Sequence, residues 1–347
     1  MIFKWLNAKQ LTDNTRSESS SHYHNGKFQN LQQHARKGKW ASINYFKRLL
    51  FERNLNSKPK VALPVEGIDK AALALLDAQN IHLIRLGHSS MLLKMGSGYW
   101  LIDPVFSKRA SPFRFIGPKR FHAPPINIEQ LPEIEGVIIS HNHYDHLDKR
   151  SIKALIDKTK HFYVPLGVDG DLINWGVKAE KVSTFDWWQH QDIGAVALHF
   201  TPAHHYSGRG PDDNCSTLWG SWVIQFKQQS VFFSGDSGYF AGFKEIGAKL
   251  GPFDICLIEN GAYDQQWPLV HMQPHESLQA FIDLDGRSLM PIHNGTFNLA
   301  FHPWQQPMTR LSKLAGASNI DILLPKFGQV VTIGQPLADT KWWRQDL

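Results

Sequence analysis

The run His141-Asn142-His143-Tyr144-Asp145-His146 is the densest set of candidate metal ligands in the chain. It follows an apolar stretch, Val137-Ile138-Ile139, and precedes a helical pattern. A loop between a strand end and a helix start is therefore expected, where rigid elements hold exposed side chains. His141 and His143 are two residues apart, so an extended backbone throws both imidazoles to one side, within reach of one cation. Asp145 and His146 follow as the chain turns and can face a second cation. Imidazole with carboxylate and no thiolate suits zinc, with iron or manganese as alternatives. A polar loop of solvated histidines is the plainer reading. Against it, three His and one Asp fall into this pattern by chance on the order of once in several hundred such chains. Four ligands are too few for two cations, so further His and Asp are expected at later strand ends. The segments 201-TPAHHYSGR-209, 231-VFFSGDSGY-239 and 291-PIHNGTF-297 supply them.

These loops need a scaffold. Short β-branched or aromatic runs bounded by Gly, Pro or Asp predict strands over 81–87, 90–95, 99–104, 136–140, 161–165, 196–202, 221–226, 231–235, 255–260, 288–293 and 321–331. Helical stretches fall at 148–159, 167–175, 240–250, 274–284 and 306–315. Strands dominate early and helices alternate with them later. That order predicts an α/β fold of two sheets with helices packed outside. No internal repeat is present, and no domain break is expected after residue 60. The expected organisation is an arm over 1–60 and a single domain over 61–347.

The chain has 347 residues, 42% apolar, with 12 Trp and 21 Phe, which excludes bulk disorder and allows a large core. Only two cysteines are present, Cys215 and Cys256, which excludes a disulfide framework and a cysteine zinc site. That usage fits a reducing compartment. No apolar stretch approaches the roughly 18–20 residues that span a bilayer. The start, MIFKWLNAKQ, lacks the features of a secretory signal, so a cytoplasmic protein is expected. The net charge of +6 is uneven: residues 1–60 hold twelve Lys/Arg and three Asp/Glu, the remainder 25 and 28. Residues 7–40 read as a polar, surface-wrapping arm. Residues 41–54 read as a short basic amphipathic helix. Its apolar side is expected to dock on the domain; peripheral contact with an anionic membrane is the alternative.

The pattern H-x-H-x-D-H after an apolar strand resembles the metallo-β-lactamase superfamily, an αββα sandwich of two mixed sheets with helices outside. The resemblance implies two divalent ions. The first would be held by His141, His143 and His205, the second by Asp145, His146 and His293, with Asp236 bridging. The ligand in that family follows T-P-x-x, which favours His205 over His204. Longer strings, among them LGHSSML (86–92), DPVFSKRASP (103–112), GPKRFH (117–122) and FKEIGAKLGPFD (243–254), are similar to the N-acyl-phosphatidylethanolamine-hydrolysing phospholipase D branch. The resemblance covers about residues 80–330.

That branch implies a phosphodiesterase acting on N-acyl phosphatidylethanolamine-like lipids through a metal-bridging hydroxide. Asp145 would orient the nucleophile and take its proton. His271 is a candidate contact to the substrate or leaving group. Asp103 would orient a ligand histidine, or it simply forms a turn before Pro104. Tyr144 faces substrate or packs under the loop. His88 faces the site or is a satisfied core histidine. Glu259-Asn260 stands where the branch has a more apolar segment. A soluble substrate, such as a sugar-phosphate lactone or a small or cyclic phosphodiester, is the alternative. Nucleic-acid processing is a reading from another class. The slightly acidic body and the lack of a basic stripe interleaved with aromatics argue against a nucleic-acid partner. A homodimer is left open.

Overall fold

The computed structural model describes residues 17–32, 56–338 and 340–344. The amphipathic helix expected over 41–54 lies outside the described residues. Strands β1 (Tyr23–His24) and β2 (Lys27–Phe28) pair as a small hairpin. Its turn is Asn25-Gly26, both at positive φ, as a two-residue hairpin turn with the right twist requires. The Phe28 N–H donates to Cys215 O at 2.8 Å and docks this hairpin on the domain.

Helix α1 (Lys70–Ala74) starts at Asp69, whose side chain accepts from Ala72 N–H. Strands β3 (Ile81–Gly87), β4 (Ser90–Met95) and β5 (Gly98–Ile102) form an antiparallel meander. Then β6 (Ile134–Ile138), α2 (Lys149–Leu155), β7 (Thr159–Pro165), α3 (Asp169–Asn174) and β8 (Val182–Phe185) extend the sheet in parallel from β5. Parallel neighbours need crossovers: the largely irregular 103–133 segment joins β5 to β6, and α2 and α3 provide the next two.

Strands β9 (His190–Ile193), β10 (Val196–Thr201), β11 (Ser221–Phe226) and β12 (Gln229–Phe233) start a second, antiparallel meander. Helix α4 (Gly242–Leu250), β13 (Phe253–Glu259), α5 (Pro274–Asp283) and β14 (Gly286–Ile292) continue it in parallel. After α6 (Gln306–Ala317), β15 (Val330–Thr332) returns to the first sheet and pairs with β3. The sheet orders are β15-β3-β4-β5-β6-β7-β8 and β14-β13-β12-β11-β10-β9.

The sheets meet face to face over a core that includes Trp100, Phe200, Trp222 and Phe233. Each such aromatic removes about 150–250 Å² from water, worth about 4–6 kcal/mol before entropy is charged against it. Trp222 Nε1–H donates to Ile139 O at 2.9 Å and ties the second sheet to the loop that follows β6. Outer apolar layers include Ile152 and Leu172 on the first sheet, and Phe243, Leu278 and Leu311 on the second. This is the αββα sandwich, and no described helix is long and apolar enough to cross a membrane.

Most predicted elements are present within a few residues. The expected strand over 321–331 is largely irregular. Only Val330–Thr332 pairs as a strand, with isolated bridges from Ile322 to Leu289 and from Phe327 to Val65. Pro325 has no N–H for a ladder, and Gly328 turns at φ +88° against Glu66 O, where a Cβ would collide.

Candidate metal centre

The ends of β3, β5, β6, β10, β12, β13 and β14 deliver the polar residues of one site. After β6, the N–H groups of His146 and Leu147 both donate to His143 O, at 3.0 and 2.8 Å. This turn separates the ligand run into two groups. His141, His143, His205 and Asp236 each offer one ligand atom, all within 4.8 Å of one another; His88, Asp145, His146 and His293 do the same. His143 Nδ1 lies 2.9 Å from His141 Nε2 and 3.2 Å from His205 Nε2.

Asp236 joins the groups. Its Oδ2 is 3.8 Å from both His141 Nε2 and His205 Nε2, and 3.1 Å from His293 Nε2. Its Oδ1 is 3.1 Å from His146 Nε2, yet neither of these two atoms has a hydrogen-bond partner. Two buried polar atoms this close without hydrogen-bond geometry are placed as joint ligands of one cation are. The donor set is nitrogen and oxygen, which suits zinc, iron or manganese. On both counts the residues fit a divalent metal centre.

The remaining predicted residues fall around this centre. Asp103 is fully buried, with Oδ2 2.7 Å from His146 Nδ1. It also accepts from Ser140 N–H at 2.7 Å and Ser140 Oγ–H at 2.6 Å. It therefore fixes both the ring of His146 and the start of the ligand loop. His88 faces the site: its Nε2 is 3.0 Å from Asp145 Oδ2. Tyr144 packs under the loop, donating to Arg209 O at 2.7 Å with the Arg209 guanidinium 4.1 Å over its ring. It also borders the pocket. His204 turns away from both groups, with Nδ1 2.7 Å from Leu269 O. His88, Asp103 and His293 sit at φ +53°, +42° and +62°. Left-handed backbone costs a residue with a Cβ about 1–3 kcal/mol and recurs at functional sites.

Charge follows the geometry. Burial pushes His141 and His205 well below the usual histidine range, and His143 to about 4, so these rings are neutral, the form that ligates. Burial also opposes charge on His146 and His293. The carboxylates of Asp236 and Asp145 outweigh it, with Asp103 adding at His146, raising His146 well above its ordinary value and His293 to about 10. In return, Asp145 and Asp236 stay well below the carboxylate range despite burial. A divalent cation here would take the place of those protons.

His271 lines the same pocket, its ring 5.2 Å from that of His205 and 5.1 Å from that of His293. Its Nδ1 is 3.2 Å from Glu259 Oε2. Glu259 is completely buried at the end of β13 and also accepts from Met272 N–H. Burial raises its pKa, while His271 holds it down. The sequence marked position 259 as unusual but assigned it no role. Asn30 was missed altogether. Its Nδ2 donates to His205 O at 2.8 Å, and its Oδ1 accepts from His205 N–H and Trp219 Nε1–H, each at 3.1 Å. A polar arm offers no pattern that singles out one asparagine.

The pocket above the centre has a volume of about 1310 Å³. Its wall includes Tyr206, Trp267, Leu269, Val270 and Leu299, and Lys27 is its single Lys or Arg among the described residues.

A profile of the family described as "Beta-lactamase superfamily domain" matches residues 99–294. The chain belongs to the metallo-β-lactamase superfamily. It is 37% identical over 334 residues to an uncharacterized protein of Mycobacterium bovis, covering 94% of this chain and 88% of that one. It is 31% identical over 299 residues to N-acyl-phosphatidylethanolamine-hydrolyzing phospholipase D 1 of Caenorhabditis elegans, covering 81% and 83%. Among solved structures it is similar to Igni18, a metallo hydrolase from Ignicoccus hospitalis, with TM-score 0.56 and 18% identity over 74% of this chain and 100% of that one. That last likeness concerns the fold. As a superfamily member the chain is a metal-dependent hydrolase.

Proposed function

We propose that this hydrolase is a dinuclear phosphodiesterase of phospholipase D type, acting on N-acyl phosphatidylethanolamine-like lipids, with zinc as its metal. The observation that carries the reading is Asp236, which reaches both ligand groups through one carboxylate. His141, His143 and His205 would hold the first ion, and Asp145, His146 and His293 the second. When bound, two such ions activate water at neutral pH and polarise a phosphoryl oxygen.

The chain's own residues do the rest. Asp145 Oδ2, held by His88 and His293, orients the attacking water and accepts its proton. Asp103 keeps His146 Nε2 aimed at Asp236. Glu259 accepts the Nδ1 proton of His271; with a second proton on Nε2, His271 contacts the phosphoryl group or protonates the leaving group.

The pocket supports a lipid over a small soluble phosphate. It is large, and among the described residues its wall mixes aromatic and aliphatic side chains with amides, histidines and one lysine; a phosphorylated metabolite is ordinarily met by several fixed cations. The 31% identity to the Caenorhabditis elegans phospholipase D supports the same choice. The test is metal analysis together with turnover of N-acyl phospholipids, cyclic and linear phosphodiesters, and lactones, with and without detergent. His143→Ala and Asp236→Ala should remove metal-dependent turnover. Faster turnover of lactones or soluble phosphodiesters than of any N-acyl phospholipid would overturn the lipid assignment.

A further inference from the structure

Phe113, Phe115 and Ile116 are 54%, 80% and 58% exposed, three large apolar side chains within four positions. Exposed apolar residues scattered singly need no explanation, but a contiguous group does. The segment is an ordered hairpin. Ala110 N–H donates to Pro118 O at 3.1 Å, and Arg120 N–H donates to Lys108 O at 2.9 Å. Arg109 Nη1–H closes the tip on Gly117 O at 2.5 Å. The rings of Phe113 and Phe115 lie 5.8 Å apart, so the two aromatics share one tip.

The base of the hairpin belongs to the site. Ala110 packs with Val105, Phe297 and Leu299, and both Ala110 and Leu299 line the pocket wall. Tyr206 and Leu269, also in that wall, are 41% and 37% exposed. The charge is one-sided. Residues 104–128 contain Lys108, Arg109, Arg114, Lys119 and Arg120 and no Asp or Glu. Arg120 is buried on the carbonyls of Val105 and His122, whereas Lys108, Arg114 and Lys119 are exposed.

We propose that the 108–120 hairpin is an anchor that seats the pocket mouth on an anionic phospholipid surface. This rests on the lipid reading of the site given above. Phe113, Phe115 and Ile116 enter the boundary between headgroups and acyl chains. Lys108, Arg114 and Lys119 meet the headgroup phosphates around them. A second copy of the chain is the competing occupant, but pairing two such hairpins would set like charges against each other. An anionic membrane answers both the apolar tip and its basic flanks. A lipid drawn from that surface reaches the centre without its acyl chains crossing water.

The experiment is co-sedimentation of the metal-loaded full chain with vesicles of phosphatidylcholine alone or with about one third phosphatidylglycerol. The expected result is binding to the anionic vesicles that weakens with salt. A Phe113→Ser, Phe115→Ser, Ile116→Ser variant should lose at least about tenfold in partitioning, and an Arg114→Glu, Lys119→Glu variant should lose the salt dependence. Both should keep the wild-type melting temperature, since none of these side chains is in the core. Three outcomes overturn the anchor: no vesicle binding by the wild type, undiminished binding by the triple variant, or a dimer that the triple variant dissolves while vesicle binding persists. Wild-type protein that cleaves N-acyl phospholipid in detergent micelles but ignores vesicles overturns the anchor and leaves the substrate reading intact. Hairpin-dependent vesicle binding with no cleavage of any N-acyl lipid overturns the substrate reading alone.

Discussion

Asp103 Oδ2 lies 2.7 Å from His146 Nδ1, and neither side chain meets solvent. The same carboxylate takes two hydrogen bonds from Ser140. One buried acid thus fixes the ring that faces Asp236 and the backbone that begins the ligand run.

Asp103→Asn keeps the shape but turns one end of that contact into a donor facing a donor. Metal affinity should fall about 10- to 100-fold, the usual cost of losing such a partner. Titration against a competing chelator measures it, and unchanged affinity would remove Asp103 from its orienting role.

Glu259→Gln tests a different contact. The amide fills the same space, but its carboxylate charge no longer holds the Nδ1 proton of His271. Turnover should drop by about 100-fold or more if His271 serves as proton donor, with KM and metal content little changed. A fall in bound metal instead would place Glu259 among the ligands.

Asn30→Ala removes three hydrogen bonds, two to the His205 backbone and one to Trp219. A loss of about 1–3 kcal/mol is expected, because the His205 N–H and carbonyl are left unmet, while Trp219 Nε1–H keeps Ala203 O. Urea unfolding of the metal-loaded protein reads the stability, and metal retention should fall with it.

The fourth prediction concerns acid. His122 is buried and pushed to about 3, by burial first and then by the Arg120 charge. Its Nδ1 is 2.8 Å from Ala123 O and its Nε2 is 3.0 Å from Thr296 Oγ1, which also accepts from His88 N–H. The carbonyl requires a proton on Nδ1, so Nε2 accepts from Thr296. The folded pKa lies below the unfolded value near 6.5. The unfolded chain therefore binds the proton first as pH falls. The stability due to neutral His122 is complete above about 6.5 and is lost towards 3, by about 3 kcal/mol at pH 4. His122→Gln should flatten that part of the stability–pH curve relative to wild type; parallel curves would disprove it.

The candidate ligand run stands out in the sequence because its members are neighbours and follow a strand that ends abruptly. His205, Asp236 and His293 were legible through the same strand-end logic and through family resemblance. Glu259 was not, because a single acid closing FDICLIE reads like any strand end until its burial against His271 is seen. Asn30 acts across 175 positions, a distance that no local pattern spans. Strands β8 and β9 have four residues each, several of them half-buried or exposed, too short and too polar to raise a periodic signal. The 321–331 stretch has the composition of a strand but is broken by Pro325 and Gly328. Its surviving pairing, Val331 with Leu83, depends on the distant β3.

That pairing has a consequence for biosynthesis. β3 is buried along its whole length, and β15, the strand that pairs with its outer edge, is made only after every strand of the second sheet. Until then β3 keeps an open edge, which Val330–Thr332 closes at His82–Ile84 and the N–H groups of Gly328 and Ile333 close at Arg85 and Ile81. A nascent chain therefore carries an aggregation-prone margin while the second sheet is made, and chaperone demand at this edge should last until β15 clears the ribosome.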